Sequence, residues 1–371
     1  MITPYTLAIP QDDLDDLKAR LARVRWTNEI PSVDIYYGVP LDPVKRLVKY
    51  WQEGYDWRTW EAKLNAYPQF TTTIDGQNIY FLHIRSNIDG ALPLILTHGW
   101  PTSVVDYLNL IGPLTDPLSY GGTADQAFHL IIPALPGFGF SGPTHDTGWN
   151  QYRIARAWAE LMRLLGYERY GVHGNDWGSV ISPEVGRCDP EHVVGVHVTQ
   201  IFTGPSGDPT EMEALSAEEK EQWQEFLWWE KNLGVYNPLQ STIPQTLGHA
   251  LADSPVGQLV WNYQIYGDDV SDDYILTNVT IYWLTNTAAS SARLYYEEAH
   301  ARNVPTEPTT IPLALSRFAN DYPSIRSFAS RYHQNIVSWK VHDRGDHFAT
   351  QTAPDLLIND IRTFFEQLRQ R

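Results

Sequence analysis

A chain of 371 residues, 43% of them hydrophobic, can bury a sizeable core, which excludes a disordered or low-complexity protein. Its formal net charge of −17 argues against nucleic acid or an anionic membrane surface as partner. The single cysteine, Cys188, excludes an internal disulfide and fits a reducing, cytoplasmic compartment. Met1-Ile2-Thr3-Pro4 lacks the basic and apolar runs of a secretion signal, and no stretch nears the ~18 apolar residues of a membrane span.

Leu14, Leu17, Leu21 and Val24 share one stripe, and Asp12, Asp13, Asp15 and Asp16 crowd its start, so a helix is predicted from Asp12 to Trp26. Two further helices are expected around Leu41–Tyr50 and Gly54–Leu64. This stretch is rich in aromatics (Tyr36, Tyr37, Tyr50, Trp51, Tyr55, Trp57, Trp60), whose apolar faces need a partner, so it should wrap the core. Phe70–Ile74 and Asn78–Arg85, joined at Asp75-Gly76, read as a hairpin.

Pro93–Thr97 and Phe128–Ile132 are continuous apolar runs, as in buried parallel strands. The first ends in His98-Gly99-Trp100-Pro101. Gln151–Leu165 is helical, with Ile154, Trp158, Leu161 and Leu165 on one face. Tyr170–Val172 is a short strand leading into Gly174-Asn175-Asp176-Trp177-Gly178, and a helix should follow, kinked or broken early by Pro183. Val193–Val198 is the next strand. The strand rhythm then stops: residues 202 to 304 are helical and aromatic. It resumes at Ile311–Ser316 and Ile336–Val341, and a closing helix runs Pro354–Leu368.

Strands alternating with helices imply an α/β protein with a mostly parallel, doubly wound sheet. The expected organisation is an amino-terminal wrapping extension (1–66), a core (67–201), an inserted helical cap (202–305) and the rest of the core (306–371).

The segment Gly174-Asn175-Asp176-Trp177-Gly178 fits the Gly-x-nucleophile-x-Gly elbow of the α/β-hydrolase fold, with Asp176 in place of the usual serine. An Asn-Asp turn between strand and helix is the plainer alternative. A carboxylate needs no base to activate it and suits alkylating electrophiles such as epoxides or alkyl halides. The resulting ester must then be hydrolysed, which calls for a base, an orienting acid and oxyanion donors. In this fold the order is nucleophile, acid, histidine. His347, just past the last strand, is the base. Asp321 is the preferred acid, with Asp343 and then Glu307 behind it. The amides of Trp100 and Trp177 should form the oxyanion hole. His98 belongs to that same strand end.

Over nearly its whole length the chain resembles the microsomal-type epoxide hydrolases of the α/β-hydrolase fold. The likeness rests on Leu14-Asp15-Asp16-Leu17-Lys18-Ala19-Arg20-Leu21 with Arg25-Trp26, on His98-Gly99-Trp100-Pro101, and on Gly174-Asn175-Asp176-Trp177-Gly178. It continues through Thr287-Ala288-Ala289-Ser290-Ser291-Ala292-Arg293-Leu294-Tyr295 and Asp346-His347-Phe348. The resemblance implies that two cap tyrosines, Tyr295 and Tyr236, bind and protonate the epoxide oxygen, and that Asp321 is the third triad acid. Tyr296 adjoins Tyr295 and leaves the register of that phenol open. Asn175 stands where the family pattern often has glycine, which would tighten the elbow, and the membrane-anchoring amino-terminal helix of microsomal members is not seen.

The implied activity is hydrolysis of a bulky apolar or aromatic epoxide to a vicinal diol. Water is the second reactant, and no cofactor or metal is called for. Homodimerisation is compatible with the sequence. Two alternatives stand beside this reading: a haloalkane dehalogenase with the same Asp nucleophile, and a catalytically silent ligand-binding protein.

Overall fold

A computed structural model describes residues 1–31, 37–267 and 269–369. Tyr36, one of the expected wrapping aromatics, lies outside them. A nine-stranded sheet runs in the order β1-β2-β3-β5-β4-β6-β7-β8-β9. Its strands are β1 Thr3–Tyr5, β2 Gln69–Ile74, β3 Gln77–Ile84, β4 Leu92–Thr97, β5 Phe128–Pro133, β6 Tyr170–Gly174, β7 Val193–Val198, β8 Leu313–Arg317 and β9 Ile336–Val341. Pairing from β1 through β3 to β5 is antiparallel, and every pairing from β5 to β9 is parallel.

Period-two alternation sorts the parallel strands onto two cores. Leu94, Leu96, Leu130 and Ile132 face one cluster, while Ile95, Ile131, Val172 and Val196 face the other. The first cluster takes in Leu14, Leu17 and Leu21 of helix Gln11–Leu21 and Val44, Leu47 and Val48 of helix Leu41–Glu53. The second takes in Ile154, Trp158 and Leu161 of helix Gln151–Leu164.

Several expectations need correcting. The first helix stops at Leu21 rather than Trp26, because its buried stripe of Leu14, Leu17 and Leu21 is complete there; Val24 packs from the turn beyond. The helix after the elbow is unbroken from Trp177 to Cys188 despite Pro183. Burial of Ile181, Ser182, Pro183 and Val185 against sheet and neighbouring helix outweighs the one hydrogen bond that proline removes. Strand β8 starts at Leu313, past Pro312, and β1 was not foreseen: it is three residues long with Pro4 at its centre, tolerable only at a sheet edge.

Between β7 and β8 the described residues form seven helices: Pro209–Ala214, Ala217–Asn232, Tyr236–Thr242, Pro244–Asp253, Pro255–Tyr263, Asp272–Thr285 and Ala288–Ala299. Polar ties hold this insertion over the strand ends. Tyr282 Oη donates to the Thr102 carbonyl at 3.0 Å, Tyr266 Oη to the Pro101 carbonyl at 3.2 Å, and Ser103 Oγ to Asn278 Oδ1 at 2.7 Å. Ser290 Oγ donates to the Gly137 carbonyl at 2.6 Å and Gly139 N–H to Thr287 Oγ1 at 3.2 Å. The insertion is therefore bound to the loops after β4 and β5. Among the described residues, no helix is long and apolar enough to cross a membrane.

Because Leu47 is fully buried in the first core cluster, Leu47→Ala should destabilise the whole protein by about 2–5 kcal/mol in equilibrium denaturation. A change under about 0.5 kcal/mol would show that the amino-terminal helices sit on the core without contributing to it.

Candidate active site

The chain leaves β4 toward β5 on one side and leaves the adjacent β6 toward β7 on the other, so the two connections part and open a crevice at the strand ends. Asp176 occupies the sharp turn there, at φ +54° and ψ −118°. That left-handed conformation costs an aspartate on the order of 1–3 kcal/mol and persists only where its surroundings over-determine it. They do so here. Asp176 N–H donates to Gln200 Oε1 at 2.8 Å, and Gln200, just after β7, is fully buried. Gln200 Nε2 in turn donates to Asn175 Oδ1 at 2.8 Å and to Asp321 Oδ2. Neighbouring backbone comes so close that a Cβ on Gly178 would lie 1.8 Å from the Thr97 carbonyl, and one on Gly99 would lie 2.0 Å from Asp176 Oδ1.

The Asp176 carboxylate has two distinct oxygens. Oδ1 accepts the Trp100 amide at 2.7 Å, while Oδ2 lies 3.6 Å from His347 Nε2. The other imidazole nitrogen, Nδ1, is 3.0 Å from Asp321 Oδ1, which also accepts the Tyr322 amide at 2.7 Å. The Asp321 side chain is only 3% exposed. Asp343 and Glu307, the other acids considered, are exposed on the surface. His98 is fully buried and bridges loops: its Nδ1 lies 2.9 Å from the Gly99 carbonyl and its Nε2 accepts the Leu135 amide at 3.2 Å. Burial lowers its pKa to about 4, which keeps the ring neutral.

The cap closes over this carboxylate with aromatic rings. Tyr236 stacks on Trp100 at 5.0 Å between centroids, and Tyr295 meets Trp177 edge-on at 4.8 Å. The two phenols themselves are 6.2 Å apart, ring to ring. Tyr296 is exposed and stacks on His300, so Tyr295 is the residue of that pair turned inward. Burial, and then the charge of Asp176, hold both Tyr236 and Tyr295 well above the ordinary phenol range. Both remain protonated donors at neutral pH.

Burial raises the Asp176 carboxyl, against the pull of His347 and the amides of Trp100 and Trp177. Burial alone would lower His347, but Asp321, then Asp176 and Asp106, outweigh it and lift the imidazole to about 9. The resting site is therefore an ion pair under a phenolic roof. A histidine raised in this way stabilises the fold fully below about 6.5, and that contribution is lost as pH climbs through about 9.

Two family models match the chain: one described as epoxide hydrolase N terminus over residues 2–107, and one described as alpha/beta hydrolase fold over residues 93–233. A protein of Stigmatella aurantiaca carrying an epoxide hydrolase name is 42% identical across all of this chain and 86% of its own length. The chain belongs to the epoxide hydrolase family. Epoxide hydrolase 1 of Sus scrofa is 28% identical over 100% of the chain and 90% of its own length. The solved Aspergillus niger epoxide hydrolase superposes with a TM-score of 0.87 at 30% identity, covering 99% of this chain and 97% of that one. The likeness extends to the microsomal type, and the enzyme is a hydrolase that acts on an epoxide with water.

Three residues of this epoxide hydrolase site escaped the sequence reading. Gln200 carries no motif of its own and becomes visible only when β7 is laid beside β6. Asn175 was seen only as a departure from glycine; its Oδ1 takes Thr199 Oγ1 at 2.6 Å and its Nδ2 donates to the His347 carbonyl at 3.1 Å. Asp106 is fully buried and accepts from Tyr274 Oη at 2.7 Å and Thr350 Oγ1 at 2.5 Å, joining the cap to the helix that follows His347. Its spacing from Trp100 offered no sign of that.

Since the charge of Asp176 is one of the groups that raise His347, Asp176→Asn should lower the imidazole pKa from about 9, read by NMR titration of the ring protons. An unchanged value would show that Asp321 and Asp106 set it alone.

Proposed function

We propose that the enzyme opens its epoxide by covalent catalysis through Asp176. The observation that carries this reading is the asymmetry of that carboxylate. One oxygen is held by the Trp100 amide, and the other lies beside His347 Nε2.

Oδ2 attacks a ring carbon, and the C–O bond of the oxirane breaks. Tyr236 and Tyr295 donate to the departing oxygen, which becomes a hydroxyl. A strained ether opens readily only when its oxygen is protonated or hydrogen-bonded as the carbon is attacked, and phenols held protonated by burial meet that need. The product of this step is an aspartyl ester, which is neutral. Esterification thus removes one of the two nearest charges favouring the imidazolium. His347 can then release its proton, which restores the phenol that gave its own to the oxirane oxygen, and, oriented by Asp321, act as general base toward water.

Water attacks the ester carbonyl carbon. Negative charge gathers on Oδ1, where the amide of Trp100 is already in place at 2.7 Å, and the Trp177 amide also bonds to the Asp176 carboxyl group. Collapse of this intermediate breaks the Cγ–Oδ2 bond; the departing alkoxide takes up the proton of the new carboxyl group, which frees the diol and leaves Asp176 ionised and His347 protonated as at rest. The aromatic lining of Trp100, Trp177, Tyr236 and Tyr295 suits a bulky apolar or aromatic substrate. A paired phenol is what an epoxide oxygen requires and a leaving halide does not, which ranks this reading above dehalogenation.

The reading is tested by removing the second half-reaction. His347→Gln should still alkylate but stall, so that mass spectrometry finds the substrate mass on the protein and on its peptide containing Asp176, with steady-state turnover down by roughly 10³-fold or more. Full turnover in that variant, or loss of turnover with no adduct on any peptide, would contradict a covalent route.

A further inference from the structure

His347 stands on the turn between β9 and helix Ala349–Thr352, and its side chain is 24% exposed, so packing alone does not fix the imidazole. Hydrogen bonds hold its peptide unit from both sides. The Phe348 N–H donates to Asp346 Oδ1 at 2.8 Å, and the His347 carbonyl accepts Asn175 Nδ2 at 3.1 Å. The ring is tethered separately, through Nδ1 at 3.0 Å from Asp321 Oδ1.

The orientation of the Asn175 amide follows from its neighbours. A backbone N–H can only donate, so the Asp176 amide fixes which end of Gln200 is oxygen, and Gln200 Nε2 then faces the Asp321 carboxylate. The same Nε2 donates to Asn175 Oδ1 at 2.8 Å. That puts the Asn175 oxygen toward Gln200 and its nitrogen toward the His347 carbonyl, which can only accept. Asn175, Gln200, Asp321 and His347 thus close a ring of hydrogen bonds, with Asn175 and Gln200 both buried.

The link from Asn175 to His347 bears unequally on the two steps of the reaction. Asp176 draws its support elsewhere: its N–H goes to Gln200 and its Oδ1 to the Trp100 amide. His347 makes and breaks no bond while Asp176 attacks the oxirane carbon. It becomes a reactant in the next step, when the water oxygen bonds to the ester carbonyl carbon, the water proton passes to Nε2 and the carbonyl electron pair moves onto Oδ1.

We infer that Asn175 is a positioning residue for ester hydrolysis: by closing the ring it holds the His347 peptide, and with it the imidazole, where Nε2 can take the proton of the attacking water. This inference rests on the covalent reading of Asp176 and gives the residue beside the nucleophile a part in the second half-reaction alone. Glycine, which the family pattern often has at this position, carries no amide that could close the ring, so the link belongs to this chain's own sequence.

Two variants test it. Asn175→Gly supplies a residue the family pattern accepts, and Asn175→Leu keeps the volume of the side chain while making no hydrogen bond. With styrene oxide as probe, rapid quenching and mass spectrometry of the peptide carrying Asp176 time the formation and the loss of the adduct separately. Both variants should form the adduct within about threefold of the wild-type rate and lose it roughly tenfold to a hundredfold more slowly. In the steady state KM then falls together with kcat, leaving kcat/KM near its wild-type value. A general loosening of the fold slows both half-reactions, so equal slowing of the two overturns the inference. Adduct loss at the wild-type rate in either variant overturns it as well. If even His347→Gln carries no adduct at Asp176, the covalent reading falls and the role of Asn175 falls with it.

Discussion

The Asp176 backbone is held in a conformation that aspartate ordinarily avoids, and the rest of the site exists to hold it there. A buried glutamine amide spans the gap: Gln200 Oε1 takes the Asp176 amide while its Nε2 reaches Asn175 and Asp321. The same side chain thereby supports the elbow and the acid that orients His347. Without side chains at positions 99 and 178, the β4 backbone can approach closely enough to put the Trp100 amide on Oδ1. Strain at one residue is thus coupled to a carboxylate with one oxygen on the Trp100 amide and the other beside His347 Nε2.

Electrostatics follow from that geometry. Asp176 and His347 sit in low-dielectric surroundings, where Asp321 leads in favouring the imidazolium and His347 joins the amides of Trp100 and Trp177 in favouring the carboxylate. In the covalent route proposed above, esterifying the carboxylate cancels one charge of the pair and changes what the imidazole can do. Above the pair, the phenols of Tyr236 and Tyr295 are kept protonated by the same burial that raises Asp176. The cap that carries them is fastened by Tyr266, Tyr282 and Ser103 to the loop that also supplies Trp100.

Much of this was legible in the order of residues, for identifiable reasons. Apolar runs such as Leu94-Ile95-Leu96 must be buried on both faces, so the parallel sheet could be read directly. Asp176, Asp321 and His347 follow strand ends whose succession along the chain is itself the signal, and the structure brings them together within 3.6 Å links. What was not legible depends on lateral contacts. Gln200 and Asp106 are ordinary residues in sequence and acquire their roles only when β7 lies beside β6, or when the cap and the segment after His347 meet the loop after β4. Pro183 misled for a related reason: local propensity favours a break, and burial on both sides of the helix overrides it. The edge strand at Pro4 is too short to carry any period.

The central claim is that an oxygen of the Asp176 carboxylate enters the product and is replaced from water. A single turnover in heavy-oxygen water, with substrate limiting, measures this directly by mass spectrometry of the diol and of the peptide carrying Asp176. The account predicts an unlabelled diol and one heavy oxygen on that peptide. Heavy oxygen in the diol with an unlabelled Asp176 would mean that water attacks the epoxide itself, and the covalent account would be wrong.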